Sequence, residues 1–522
     1  MTGSIDTPIW LLFILIALAV VTSLQYFLLP PMRMIMRRRA NRVIDEMNSR
    51  LALELPSFKL TKREVLIDRL VYHPSIMKEV ERVAREENTS RDAVLQQVRS
   101  YATEIVPAFN AWLYFKTGYW LARKIVHMLY RVRLGFADDQ SLAKLPQNSS
   151  VVFVMNHRSN MDYILATYLA AERSSLSYAV GEWARVWPLQ QLIRSMGGYF
   201  VRRNSGERLY RKVLQCYVQM AAEGGVPQAV FPEGKLTRNG RLGKAKMGLL
   251  GYLVRPFLER SSDQSEQHSH MDKDMDLVFI PVGINYDRVL EDRTLLASQD
   301  SDKPRPGTFF TLRRFFGFLA NQMWLALTGR WYRFGYACVN FGTPLSLKEW
   351  VESRQASADI TAADNSDWHK QVEALSEELM DRIGQIIPIL PVAMVATIFR
   401  QTQTDSSDSA ANTPALSEID IKVRVAQLAE QLSSRGAHLY IPRSNMDYAV
   451  TVGLRMLVLR HALLNDNGMY RLNTSDTQLL DFYAQSIAHL LHTQEQVPVA
   501  TVDGSTTNKE PDHPAHPLST SG

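Results

Sequence analysis

The chain has 522 residues, two cysteines and a formal net charge of +6. Two thiols, Cys216 and Cys338, exclude a disulfide framework and fit small core positions in a reducing compartment. With 46% hydrophobic and 21% charged residues, the chain is expected to bury a core over most of its length, enough for several domains of about 100–200 residues each. The basic balance, with a pI near 9.1, suits anionic substrates or a negatively charged membrane surface.

In chain order, the first feature is Ile9–Leu29 (IWLLFILIALAVVTSLQYFLL), uncharged and long enough to cross a bilayer. Trp10 and Tyr26 stand near its ends. Asp6 precedes it, and Arg33, Arg37, Arg38, Arg39 and Arg42 follow it. This charge asymmetry predicts a transmembrane anchor over residues 1–30, with the remainder at the cytoplasmic face of the cell (inner) membrane. A cleaved signal peptide would need a basic leader and a small-residue cleavage site, and neither is seen. Residues 31–130 read as helical, with apolar positions at helical spacing such as Val80, Val83 and Ala84.

Residues 131–350 alternate apolar strands with amphipathic helices, the pattern of an α/β domain with a mostly buried sheet flanked by helices. The strand candidates are VRLGF (132–136), Ser149–Met155, Leu176–Val180, Gln228–Phe231, Leu277–Val282 and Tyr336–Phe341. A polar insertion at 261–276 reads as a surface loop, its His268 and His270 solvated rather than metal-bound. Thr311–Tyr332 mixes Arg313, Arg314 and Arg330 with Phe315, Trp324 and Trp331. That mixture suits either a membrane interface or an amphipathic helix packed on the domain. A helical segment follows at 351–400, interrupted by Pro388 and Pro391. Then come a linker at 401–416, a helical region at 417–493 and a disordered tail at 494–522 rich in Ser, Thr and Pro.

Four blocks carry candidate chemistry. The first is NHRSNMDY (156–163), just past a strand end, where α/β proteins usually bind ligands. A turn after His157 would bring Asp162, in a first helical turn, back to the imidazole. The carboxylate would then fix the ring tautomer and leave the other nitrogen as a base. Alternatively His157 caps a helix whose dipole Asp162 complements. The second block, GGYFVRR (197–203), turns on two glycines and delivers Arg202 and Arg203, whose planar forks match phosphate. The third, FPEGKLTRNGR (231–241), offers Glu233 for a hydroxyl or an arginine, and Lys235 and Arg238 for phosphate. The fourth, FIPVGINYDR (279–288), has an apolar first half that would line a pocket wall.

Taken together, the blocks resemble the glycerol-3-phosphate and dihydroxyacetone-phosphate acyltransferase group of the lysophospholipid acyltransferase superfamily. YACVNFGTPL (336–345) and, more loosely, residues 368–492 extend the likeness over most of the chain. It departs at Leu236, where the family has an arginine. The resemblance implies His157 as catalytic base and Asp162 as its partner. It implies Arg158, Arg202, Arg203, Glu233, Gly234, Lys235, Arg238 and Pro281 around the substrate. The expected reaction is acyl transfer from acyl-CoA or acyl carrier protein to glycerol 3-phosphate, with membrane lipids as partners and no metal or cofactor. The nearest alternatives are 1-acylglycerol 3-phosphate or dihydroxyacetone phosphate as acceptor, and a catalytically dead lipid-binding scaffold. No nucleic-acid-binding motif appears.

The hexapeptide RSNMDY recurs at 443–448, but Pro442 replaces the histidine. This copy reads as a relic or a coincidence, with Asp447 starting a helix.

Overall fold

The computed structural model describes residues 56–146, 148–170, 175–202, 205–262, 275–298, 333–356, 367–405 and 414–491, with the single positions 317 and 324. The expected membrane anchor, most of the polar insertion, the Thr311–Tyr332 segment apart from those two positions, residues 406–413 of the linker and the tail lie outside them. Among the described residues no helix is long and apolar enough to cross a membrane.

The sheet grows outward from Ser149–Met155. That strand, SSVVFVM, is β-branched and buried from its second residue on, as expected of a strand covered on both faces. In chain order the strands are β1 (Arg131–Ala137), β2 (Ser149–Met155), β3 (Ser177–Gly181), β4 (Gly198–Val201), β5 (Gln228–Val230), β6 (Asp276–Tyr286), β7 (Tyr336–Phe341) and β8 (Leu345–Ser346). They form an eight-stranded sheet in the order β1-β7-β6-β2-β5-β3-β4, with β8 on β6. Strands β6, β2, β5, β3 and β4 are mutually parallel, while β7 and β8 run against β6. Every strand the sequence pattern predicted is present, so the α/β reading holds for this part.

Alternate residues of β2 serve two cores. Val151, Phe153 and Met155 join Val126, Leu129, Met161 and Leu165 on one face. Val152 and Val154 join Val213, Leu253 and Leu379 on the other. Cys216 and Cys338 are buried thiols.

Helices precede the sheet from Ser57 onward, as expected. The helical stretch is interrupted at 387–390, as expected from Pro388 and Pro391, and Pro391 also restarts it. Pro391 opens the helix Pro391–Asp405, after Trp368–Ile386 has ended, because proline suits a first helical turn. That helix runs five residues into the expected linker. The C-terminal region is less uniformly helical than its periodicity predicts. Leu463–Asp466 and Met469–Leu472 pair as an antiparallel hairpin, with Leu416–Ser417 beside them. The two turn residues, Asn467 and Gly468, both have positive φ (50° and 85°), the conformation that Asn-Gly turns favour.

Asp287, just past β6, ties the sheet to this region. It is buried, and its carboxylate accepts from Tyr336 N (2.8 Å) and from Val392 N (3.2 Å) in the first turn of Pro391–Asp405. Burial outweighs the two amides and raises its pKa from 3.8 to about 7. Between those values the folded chain holds a proton that the unfolded chain has released. Stability from this group is therefore full below about pH 4, falls as pH rises and is lost above about pH 7. Urea titrations of the wild type and Asp287→Asn across that range should differ in slope by up to about 1.4 kcal/mol per pH unit, the variant being the flatter.

Candidate active site

Beyond Met155 the ladder continues through a side chain. Asn156 donates from Nδ2 to Ile284 O (2.9 Å) and accepts at Oδ1 from Ile284 N (2.8 Å). This pins the chain where it leaves the sheet. The next residue, His157, is then clamped by its own backbone: its N–H donates to Glu233 Oε1 (2.7 Å) and its carbonyl accepts from Thr237 N (3.0 Å). The imidazole lies over Phe231, centroids 4.2 Å apart, with Tyr163 edge-on at 5.3 Å.

The turn Arg158–Asn160 leads into the helix Met161–Ala170, with Asp162 in its first turn. Asp162 Oδ2 lies 3.0 Å from His157 Nδ1 and accepts from the backbone N–H of Arg158 (2.7 Å) and Ser159 (3.0 Å). Oδ1 accepts from the Tyr286 hydroxyl at 2.6 Å. A carboxylate that accepts at Nδ1 assigns the proton to that nitrogen and leaves Nε2 as the acceptor. Nothing among the described residues hydrogen-bonds Nε2. Burial, with the Asp162 charge adding to it, pushes the Tyr286 phenol well above its ordinary range, so it stays a donor.

Two further carboxylates hold the loops. Glu233 is buried; its Oε2 accepts from Gly243 N (2.9 Å) while Oε1 holds His157. Burial raises its pKa against the pull of those two amides. Glu291 grips the 159–160 turn, its Oε2 accepting from the Ser159 hydroxyl (2.8 Å) and its Oε1 from Asn160 N (3.2 Å). Arg158 points toward the C-terminal region: Nη1 donates to Gly240 O (2.8 Å), and the guanidinium lies 5.4 Å from the Phe482 ring centroid. Among the described residues its Nε and Nη2 have no hydrogen-bond partner, and burial lowers its pKa.

The structure thus brings His157, Asp162, Arg158 and Glu233 into one cluster, but redistributes the expected roles. Glu233 gives one acceptor position on each of its oxygens to a backbone amide, so it shapes the loops around His157. Gly234 makes a turn at φ +67°, a left-handed conformation that glycine adopts freely. Lys235 and Arg238 are exposed on the loop after β5, with Arg241, Lys244 and Lys246 exposed on the same loop. Since β5 neighbours β2, this loop is a basic rim beside His157, with Leu236 half-buried in it.

Two expectations need correction. Arg202 is not an open phosphate fork. It pairs with Glu104 (3.0 and 2.7 Å) and Glu207 (3.4 Å), lies over Tyr101 and Tyr210, and follows β4, three strands from β2. Pro281 is not a pocket wall. It sits inside β6 opposite Val154, whose side chain belongs to the face away from Met155, the residue that leads to His157. Its carbonyl accepts from Gly342 N (2.9 Å), in the gap between the β8 pairing at 278–279 and the β7 pairing at 282–286. A residue that lacks an N–H is tolerated in such a gap. Arg203 lies outside the described residues.

Sequence reading missed Asn156, Tyr286 and Glu291 as site-builders. The first two stand inside the quoted blocks, but their partners are more than 120 residues away. In the second hexapeptide Asn445, not Asp447, caps the helix Met446–Leu459, accepting from Tyr448 N at 2.9 Å. Asp447 is exposed.

Residues 138–285 match the acyltransferase family model, and residues 323–506 match the model of the glycerol-3-phosphate acyltransferase C-terminal region. A glycerol-3-phosphate acyltransferase of Pseudomonas fluorescens (strain Pf0-1) is 27% identical over 354 residues, covering 66% of this chain and 39% of its own. Those of Pseudomonas syringae pv. tomato and Ectopseudomonas mendocina are 25% and 27% identical, each covering 67% of this chain and 40% of its own. The chain thus spans about two fifths of the length of these relatives. A solved 1-acyl-sn-glycerophosphate acyltransferase of Thermotoga maritima aligns at 14% identity over 61% of this chain and 98% of that one. Its TM-score, 0.27, is too low to carry an argument.

Glu233→Ala would strand two amides beside the imidazole. The expected loss, read by urea denaturation, is about 2–4 kcal/mol, since each buried donor left unmet costs about 1–3 kcal/mol.

Proposed function

We propose that this chain, which matches the acyltransferase model and the model of the glycerol-3-phosphate acyltransferase C-terminal region, transfers an acyl group from a thioester to the hydroxyl of glycerol 3-phosphate. One observation carries the reading: a buried imidazole whose Nδ1 is held by Asp162 while Nε2 stays open, beside a basic loop.

In this reading Nε2 of His157 takes the proton of the acceptor hydroxyl. The oxygen attacks the thioester carbonyl of acyl-CoA or acyl carrier protein, a C–O bond forms and the C–S bond breaks. The thiolate leaves with the electron pair, and the proton passes from the imidazolium to it. Asp162 stabilises the transient positive ring and prevents it from turning. The exposed cations Lys235 and Arg238 attract the phosphate, which presents the hydroxyl to the base. The resemblance at the NHRSNMDY and INYDR blocks and the glycerol-3-phosphate acyltransferase C-terminal match favour glycerol 3-phosphate over its acylated or keto relatives. The uncharged Ile9–Leu29 run and the arginines after it support an enzyme anchored at the cytoplasmic face of the inner membrane, near its lipid product.

The test is an acyl-transfer assay with glycerol 3-phosphate, lysophosphatidate and dihydroxyacetone phosphate offered in parallel. Glycerol 3-phosphate should be the preferred acceptor, and His157→Ala should abolish turnover while retaining glycerol 3-phosphate binding. Unchanged turnover in that variant would refute the mechanism. Asp162→Asn is expected to lower kcat about 100- to 10,000-fold, the usual range for positioned acid–base catalysis. Tyr286→Phe, which removes one of several donors to Asp162, should lower kcat about tenfold, with little change in KM.

A further inference from the structure

The opposite end of the sheet from His157 holds a cavity of about 310 Å³, within the range of small-molecule sites. It lies beneath the starts of β3 and β5, where Ser177 and Val226 line it. His157 stands past the other end of β2, which runs parallel to β5, so the two sites share no residue.

Its chemistry is two-sided. Phe58, Leu66, Phe109 and Tyr217 give apolar walls, while Lys59, Lys62 and Arg63 supply three cations. Lys59 is the unusual member. Its side chain is 6% exposed, yet among the described residues no carboxylate pairs with it. Nζ donates to Ser175 O (2.8 Å) and Oγ (3.1 Å) and lies 4.6 Å from the Phe109 ring centroid and 5.6 Å from that of Tyr114. Two oxygens leave one of its three donors over. Arg63 gives two of its five donors to the carbonyls of Val106 and Thr103, which neutralise no charge. A buried ammonium without a counter-charge is costly, and burial correspondingly drives the Lys59 pKa well down. An anion entering the cavity would supply a counter-charge that the described residues do not provide.

We propose that this cavity binds a small amphiphilic anion, its single carboxylate or phosphate-monoester head against Lys59 and its apolar body against Phe58, Leu66 and Phe109. The site is distinct from the acyl-transfer centre and does not depend on the reading given to that centre.

The test is photolabelling of the full chain with diazirine-bearing octanoate and octyl phosphate, with a diazirine-bearing octanol as the neutral control and adducts mapped by mass spectrometry. The anionic probes should label the segments 57–66 or 106–109, and the alcohol should not. Excess glycerol 3-phosphate should leave these adducts in place. Lys59→Met should reduce them about tenfold, the scale of a lost charge-assisted bond, with acyl transfer unchanged. Ala108→Trp, which fills the cavity mouth and leaves the lysine intact, should do the same, so the proposal stays testable if the lysine variant fails to fold. Labelling by one anionic probe alone assigns the head group; labelling by both assigns recognition to charge alone. Labelling equal to that by the alcohol, adducts confined to segments 156–163 and 231–241, or undiminished adducts in a folded variant would each overturn the proposal.

Discussion

The site depends on a single carboxylate with every direction of approach occupied. Asp162 receives the His157 ring, two consecutive backbone amides and a phenol from the far end of β6. The two amides close the turn on itself, so the same oxygen that orients the imidazole also shapes the loop that carries it. The phenol links that loop to the sheet. A buried carboxylate with fewer donors would be expensive to keep ionised. Here the donors that stabilise its charge are also the ones that set its position, so charge and geometry cannot be changed separately.

The same long-range donors make one hexapeptide adopt two structures. RSNMDY at 158–163 folds around its aspartate because Tyr286 and Glu291 reach it from outside and a histidine precedes it. At 443–448 the same letters follow a proline, Arg443 and Ser444 take positive φ, and the aspartate faces solvent. Local sequence supplies a turn and a helix start in both places. The long-range donors decide whether the carboxylate is drawn inward.

The same division separates what was legible in the sequence from what was not. Strand positions were legible because fully buried strands are continuous apolar runs, and β2 is the plainest of them. The closeness of His157 and Asp162 was legible because it needs only a turn of a few residues. The Asn467-Gly468 hairpin was legible in principle, since its turn dipeptide sits between LL and MY, but helical periodicity on either side hid it. Arg202 was misjudged because its partner Glu104 is 98 residues away in a helix that carries no motif. Pro281 was misjudged because only strand register tells which face a residue occupies. The structural role of Glu233 was hidden because a carboxylate in a polar loop gives no sign that two backbone amides will reach it.

The C-terminal region is built into the site rather than appended to it. Gly240, at φ +82°, brings the third-block loop against the chain at Phe482, where a methyl group would lie 1.9 Å from the Phe482 carbonyl oxygen. Arg158 donates to that same glycine and stacks on the Phe482 ring, while Arg241 reaches Gln485 at 2.6 Å. One residue beyond Glu291, buried Asp292 accepts from Arg460 (2.5 and 2.6 Å) and from the Tyr483 hydroxyl (2.7 Å). The loops on both sides of His157 are therefore buttressed by residues beyond 458, and the described residues up to Leu491 fall in one compact unit. A sheet cut off after β6 would keep the histidine and its aspartate. It would lose Glu291, expose Arg158 and free the third-block loop, so the parts that hold the imidazole in register belong to the whole unit and not to the strand that carries it.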